Sequence, residues 1–137
     1  MATVNITLSL SSTDLFAKQA LSFTETDSLT PSGDQQAVGR LITTGSGTKD
    51  NLVGKALDGT TDRAYLFMKN LSATAGEYVK VSLCATHGTD SAAGDWFSVL
   101  GPGEFLFIPI SDMQDVDVEP ATGNPVIEFI VMEKATT

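Results

Sequence analysis

The 137-residue chain has few of the side chains that carry enzyme chemistry. It contains one cysteine, Cys84, and one histidine, His87, so an internal disulfide and a histidine cluster for zinc or copper are both excluded. The neighbours of Cys84 favour a small buried side chain at that position. On a strand, two residues at the spacing of Cys84 and His87 point to opposite faces, which argues against a catalytic pair. We therefore predict no enzyme activity and no catalytic, cofactor-binding or metal-binding residues.

Basic side chains and long apolar runs are scarce as well. The formal net charge is −9, and residues 81–137 contain Lys134 as their single basic side chain against nine acidic ones. Binding to nucleic acid requires Lys and Arg clusters that neutralise phosphates, so we expect no nucleic-acid partner. No apolar run approaches the roughly 20 residues of a membrane-spanning helix, and the first residues lack the pattern of a secretory signal. These features predict a soluble protein made in a cytosol, with no membrane partner.

Two glycine-rich segments could be mistaken for phosphate-binding loops. Neither Gly45-Ser46-Gly47 nor Gly101-Pro102-Gly103 is followed by the Lys-Ser/Thr pair of such a loop or by a helix. Gly101-Pro102-Gly103 is better explained as a tight turn that leads into the next strand.

What the chain does contain is an alternation of apolar and polar residues. From Thr3 to Leu10 every even position is apolar and every odd position is polar, which is typical of a strand with one buried face. Similar strand-like segments with turns between them occur at residues 37–43, 64–70, 78–83, 96–100, 104–110, 115–119 and 126–132. This pattern predicts an all-β fold: one domain over residues 1–137, forming an antiparallel, jelly-roll-like β-sandwich of about eight or nine short strands.

Four local features refine this prediction. Thr13 or Asp14 can cap a short helical turn over residues 15–17, and residues 30–34 have the composition of a loop. Residues 44–51 are the most flexible-looking segment in the chain. Pro109 is expected at a strand end or on a sheet edge, because proline cannot donate to a strand ladder.

The densest group of carboxylates is Asp112, Asp115, Asp117 and Glu119. Clustered oxygen ligands suit calcium, although the spacing of an EF-hand loop is absent. The last three alternate with valines, which favours the outward, solvated face of a strand. The prediction is therefore a solvated face, and cation binding at these residues stays open.

Aromatic residues offer one further alternative. Trp96 follows a long polar loop, and an exposed indole beside such a loop can stack on a sugar ring. Tyr65 and Tyr78 could serve the same purpose in a carbohydrate-binding module. Packing in the core or at a sheet edge is the favoured interpretation for Trp96.

Several segments, taken in order, carry a family resemblance. They are Ile6–Leu15, Ala20–Thr26, the strand Ala64-Tyr65-Leu66-Phe67-Met68-Lys69-Asn70, the segment Leu100–Pro109 with its Pro-Gly-Glu turn, and the closing strand Val126–Glu133. With them the chain resembles small β-sandwich virion proteins of tailed bacteriophages, of the capsid cement or decoration type. The resemblance covers most of the chain, and its motifs are generic.

The resemblance implies a structural role on the capsid exterior, after synthesis in the host cytoplasm. The implied partners are the major capsid protein and further copies of the chain, with a homotrimer favoured. The first strand is the candidate for adding to the sheet edge of a neighbour. A tail, neck or baseplate subunit and a carbohydrate-binding module remain the alternative functions.

Overall fold

A computed structural model describes residues 3–16, 19–29, 31–42, 49–52, 63–84, 96–111 and 115–134. These residues form ten strands and contain no helix, so none that could span a membrane is found in this part of the chain. The all-β prediction is confirmed, with slightly more strands than expected. The chain divides into two compact units, residues 1–31 and residues 32–136. The strands are β1 Val4–Phe16, β2 Gln19–Leu29, β3 Pro31–Ile42, β4 Asp50–Asn51, β5 Arg63–Asn70, β6 Val79–Cys84, β7 Trp96–Leu100, β8 Phe105–Ser111, β9 Asp115–Pro120 and β10 Val126–Lys134.

The first unit is a long antiparallel hairpin of β1 and β2. Its register runs without interruption from the pair Val4 and Leu29 to the pair Ser12 and Leu21, and Phe16 pairs with Gln19 after an irregularity. Because β1 continues through Phe16, the helical turn predicted to begin at Leu15 is wrong. Ala17, at the end of that predicted turn, lies outside the described residues. Backbone pairing across the hairpin resumes at Phe16, which leaves no need for a capped helical turn.

The second unit has the strand order of a jelly roll. Sheet I contains β3, β10, β5 and β8 in that order, and sheet II contains β4, β9, β6 and β7. The eight strands pair as one long folded ribbon: β3 with β10, β4 with β9, β5 with β8, and β6 with β7. Rolling this ribbon places β10 beside β5 and β9 beside β6, which gives the two Greek keys of an eight-stranded jelly roll.

Both sheets contribute to one hydrophobic core. Fully buried side chains come from sheet I at Leu66, Met68, Ile127 and Val131 and from sheet II at Val79, Val81, Val116 and Val118. They lie at alternate positions of their strands, as the period of two predicts. All of them belong to the second unit. The single domain expected over residues 1–137 therefore stays a prediction.

Two prolines illustrate how the edges of sheet I are built. β3 begins at Pro31, so the loop predicted over residues 30–34 is wrong from residue 31 onward; Thr30 lies outside the described residues. Proline is tolerated as the first residue of an edge strand, where no ladder donor is required. Pro109 lies inside β8, the opposite edge strand, as predicted.

Asp50 and Asn51, inside the segment that looked flexible, form the short strand β4.

Candidate interaction surfaces

The acidic strand β9 is buried rather than solvated. Asp117 has no exposed surface and Glu119 is 9% exposed, so both face away from the core as predicted, but the predicted solvation is wrong for both residues. Side chains from the neighbouring strands β4 and β6 contact both acids. The Asn51 side-chain amide donates to Asp117 Oδ1 at 3.1 Å, and Lys80 Nζ lies 3.0 Å from Glu119 Oε1.

Asn51 and Lys80 thus provide polar contacts to Asp117 and Glu119, respectively. In the part of the chain that the structure describes, no three Cys, His, Asp or Glu side chains form a group that could hold a metal ion. Asp112 and His87 lie outside the described residues, as do the side chains of Asp115 and Cys84. The predictions for these four residues stay predictions.

The aromatic residues considered for sugar binding do not share a surface. The ring centroid of Trp96 lies 5.1 Å from Lys49 Nζ and 5.3 Å from Lys80 Nζ, so two ammonium groups already engage the half-buried indole. Tyr65 stacks on Phe107 in the other sheet, with ring centroids 5.6 Å apart. Tyr78 is 47% exposed and immediately precedes β6.

The outer face of sheet I is the first unusual surface. Alternation along its strands points Leu66 and Met68 to the core and their neighbours Tyr65 and Phe67 outward. The outward residues of the three neighbouring strands are Tyr65, Phe67 and Lys69 on β5, Phe105, Phe107 and Pro109 on β8, and Glu128, Ile130 and Met132 on β10. Apart from Lys69 and Glu128, all of them are apolar. Phe105 is 62% exposed.

Sheet II has the opposite character. Its outward positions carry polar side chains on the central strands β6 and β9: Lys80, Ser82, Asp117 and Glu119. A sandwich of antiparallel sheets normally solvates its outer faces and places polar residues there. The central strands of sheet II carry polar side chains on this face, although most of these are buried. The outward residues of sheet I are mostly apolar, so its outer face has the composition of a surface that another element covers.

The hairpin is the second unusual surface, because its two faces differ completely. Directly opposed residues share a face, so Leu8 lies beside Glu25 and Leu10 beside Phe23. We call this side the apolar hairpin face; its described side chains are Val4, Ile6, Leu8, Leu10, Ser12, Leu21, Phe23, Glu25 and Asp27. The other side carries only small uncharged polar residues: Asn5, Thr7, Ser9, Ser11, Ser22, Thr24, Thr26 and Ser28. Leu8, Leu10 and Phe23 are 40–47% exposed.

The end of the jelly roll beyond β5 is a hydrogen-bonded network centred on Asn70. This residue is fully buried, and its Nδ2 donates to the carbonyl oxygens of Glu77 at 2.8 Å and Leu100 at 3.2 Å. Its Oδ1 accepts from the amide of Ser72 at 3.0 Å. Since Leu100 ends β7 in sheet II, the Asn70 side chain connects the two sheets.

The Gly101-Pro102-Gly103 segment is a tight turn, as predicted. Gly103 has a φ of 77°, and the amide of Glu104 donates to the carbonyl of Gly101 at 3.0 Å, which defines a type II turn with proline at its second position. The Glu104 carboxylate accepts from the Gly101 amide at 2.7 Å. The backbone of Asn70 pairs with this turn on both sides, through Gly103 and Glu104.

Sequence reasoning missed both apolar surfaces, although their signals were present. Residues 64–70 are apolar at nearly every position, which a central strand explains and which is true of β5. Only the register shows that Phe105 and Phe107 add to the same outward face. No family model matches the chain, and a search of curated proteins finds no significant match. The proposed function is therefore inferred from the two apolar surfaces, on the hairpin and on sheet I.

Proposed function

We propose that the chain is a structural virion protein of a tailed bacteriophage, a capsid cement protein that binds and stabilises the outside of the head. The observation that carries this proposal is that two apolar faces, on the hairpin and on sheet I, lie outside the core. Contiguous apolar surface of this kind marks sites where proteins associate. Aromatic side chains such as those on sheet I are enriched in the cores of protein interfaces.

The fold is compatible with this role and does not decide it. Jelly rolls occur in viral capsid proteins, in lectins and in cupins, so the strand order alone names no function. The assignment of the protein to a phage virion is based on the sequence resemblance. Two of the segments that carry it, the Lys69-Asn70 end of β5 and the Pro-Gly-Glu turn, are hydrogen-bonded to each other.

Charge favours the capsid exterior over contact with packaged DNA. With a net charge of −9, the protein is repelled by phosphates and attracted to basic protein surface. The major capsid protein is the partner that we propose, through a basic rim on the outer surface of the shell.

The test uses phage particles separated into heads and tails. Heads that lack the protein are mixed with it, sedimented and imaged, and purified tails are treated in the same way as the matched control. We expect saturable binding to heads and a higher temperature of head disruption, since a ligand at 100 times its Kd adds about 2.7 kcal/mol per site. Binding to tails alone would assign the protein to the tail, neck or baseplate, and binding to neither would refute the proposal.

A further inference from the structure

The apolar hairpin face needs a cover. A two-stranded hairpin on its own is at best marginally stable in water, because each strand has only one neighbour and no second layer. The buried hydrophobic residues of the core cluster all belong to the jelly roll, and Leu8, Leu10 and Phe23 stay 40–47% exposed. The hairpin therefore exposes the kind of surface that a stable antiparallel sheet buries.

A second surface in the same chain fits this requirement. We define the aromatic face as the outward residues of β5 and β8: Tyr65, Phe67, Lys69, Phe105, Phe107 and Pro109. Two ring pairs order it, Tyr65 with Phe107 and Phe67 with Phe105, the latter with centroids 6.3 Å apart. Because the rings brace each other, this face is rigid and loses little conformational entropy when it is covered.

We propose that the apolar hairpin face of one copy packs on the aromatic face of a second copy. The hairpin is long enough to cover the sheet: its uninterrupted register spans about 27 Å, and the β5–β8 register spans about 20 Å. The side chains also agree in kind, since aliphatic residues of the hairpin meet rings that present broad flat surfaces.

The two faces are complementary in charge, and a second copy is proposed as the occupant because Leu8, Leu10 and Phe23 remain exposed within a single chain. Among the described side chains, the apolar hairpin face carries two charges, Glu25 and Asp27, and the aromatic face carries one, Lys69. Opposite charges at the two faces favour the contact and fix its register. Glu128 on β10 lies directly opposite Lys69 and has the same sign as Glu25 and Asp27, so the hairpin is expected over β5 and β8 rather than over β10.

The contact joins two different surfaces. Only a closed arrangement of copies therefore gives an oligomer of finite size. If two copies exchange hairpins, or three copies do so around a ring, both faces of every copy are covered. A reciprocal pair of such contacts buries on the order of 1,000 Å² in total, near the lower end of specific interfaces. This mode differs from addition of the first strand to a neighbour's sheet edge, because β1 already pairs with β2 and docks through its face.

The first experiment measures the mass of the intact protein in solution by sedimentation equilibrium and native mass spectrometry. We expect a closed oligomer. Leu8→Glu on the hairpin and Phe105→Glu on the aromatic face should each raise the dissociation constant about 30-fold or more, as expected for a residue at the centre of an interface. The matched controls are Thr7→Glu on the opposite hairpin face and Val99→Glu, at a 53% exposed position on sheet II. A monomeric wild-type protein, or equal effects of variants and controls, would overturn the proposal.

The second experiment shows that the contact is between copies. Glu25→Lys with Asp27→Lys gives one variant, Lys69→Glu gives the other, and each alone should dissociate. If the oligomer is a reciprocal pair, an equal mixture should assemble again, because each hairpin then meets an opposite charge on the other chain; a ring of three would keep at least one like-charge contact and should be restored only by the three substitutions in one chain. If neither the mixture nor a chain with all three substitutions forms the oligomer, the two faces do not meet between copies and the proposal fails. Neither experiment needs phage particles, so its outcome is independent of the capsid assignment.

Discussion

At the scale of single residues, Asn70 is the polar side chain on which the packing of the jelly roll depends most. Each of its amide hydrogens has a carbonyl partner, and its oxygen has an amide partner. A buried amide with all its groups paired is stable, whereas removal of one partner leaves the others buried and unpaired. The residue thereby links the end of β5 to β7 and to the loop before β6.

We expect Asn70→Ala to lower the free energy of unfolding by about 2–4 kcal/mol, because two carbonyl groups and one amide lose their partner. Asn70→Asp should be at least as damaging, since a carboxylate oxygen would then face the carbonyls of Glu77 and Leu100. Urea denaturation measures the effect as a shift of the midpoint at unchanged slope. Asn5→Ala, at an exposed hairpin position, is the control and should change stability by less than about 0.5 kcal/mol. If Asn70→Ala also lowered the free energy of unfolding by less than about 0.5 kcal/mol, water would have to replace the hydrogen bonds of the Asn70 side chain.

For Asp117 and Glu119, the sequence predicts which way the side chains point but not whether they are buried. Alternation with Val116 and Val118 correctly predicts that the valines face the core and the acids face the other way. Whether that other side meets water depends on the neighbouring strands, and periodicity contains no information about neighbours. Lys80 and Asn51, which engage the two acids, are 39 and 66 residues away in the sequence.

At the scale of elements, two glycines in positive-φ turns separate backbone strain from steric overlap. Gly103 has a φ of 77° and a Cβ placed there would meet no atom within 4 Å. Gly123 has a φ of 68°, but a Cβ there would overlap the Glu77 carboxylate, which is hydrogen-bonded to Ser72 Oγ. Substitution by alanine therefore tests backbone strain alone at Gly103, and backbone strain together with steric overlap at Gly123.

We expect Gly103→Ala to reduce stability by about 1 kcal/mol, the cost of a left-handed conformation for a residue with a Cβ. Gly123→Ala should cost at least about 1 kcal/mol more, because the Glu77 side chain must move. Thermal unfolding of both variants, repeated in a Glu77→Ala background, forms a double-mutant cycle. In that background the two glycines should become equivalent, and a persistent difference would contradict the steric explanation.

The elements themselves could largely be predicted, because strand alternation is a local signal. β5 to β10 all lie within a few residues of their predicted positions. The errors occur where local signals compete with pairing: Asp14 resembles a helix cap but belongs to β1, and Pro31 resembles a loop residue but begins β3. The sheet order was not predictable, since β10 and β5 are brought together by the rolled ribbon and by no feature of either strand alone.

At the scale of the whole molecule, the division of the chain into two units separates stability from association. The buried residues of the core cluster lie between residues 64 and 131, and none of the described hairpin side chains belongs to it. The jelly roll therefore has the means to fold by itself. A two-stranded hairpin is marginally stable on its own, so we expect the order of this hairpin to depend on a partner that covers its apolar face.

The last prediction follows from this division. Deletion of residues 1–29 should leave the jelly roll folded, with a midpoint temperature within about 4 °C of the full chain at a concentration where the full chain is dissociated. The same deletion should abolish the oligomer. A shorter deletion of residues 1–10, which removes most of the apolar residues of β1, should already impair assembly more than deletion of residues 134–137, where β10 ends. Circular dichroism and sedimentation on the three truncated proteins measure folding and association separately. Equal assembly after the two short deletions would mean that the apolar hairpin face is dispensable, because its β1 half would then be absent without consequence.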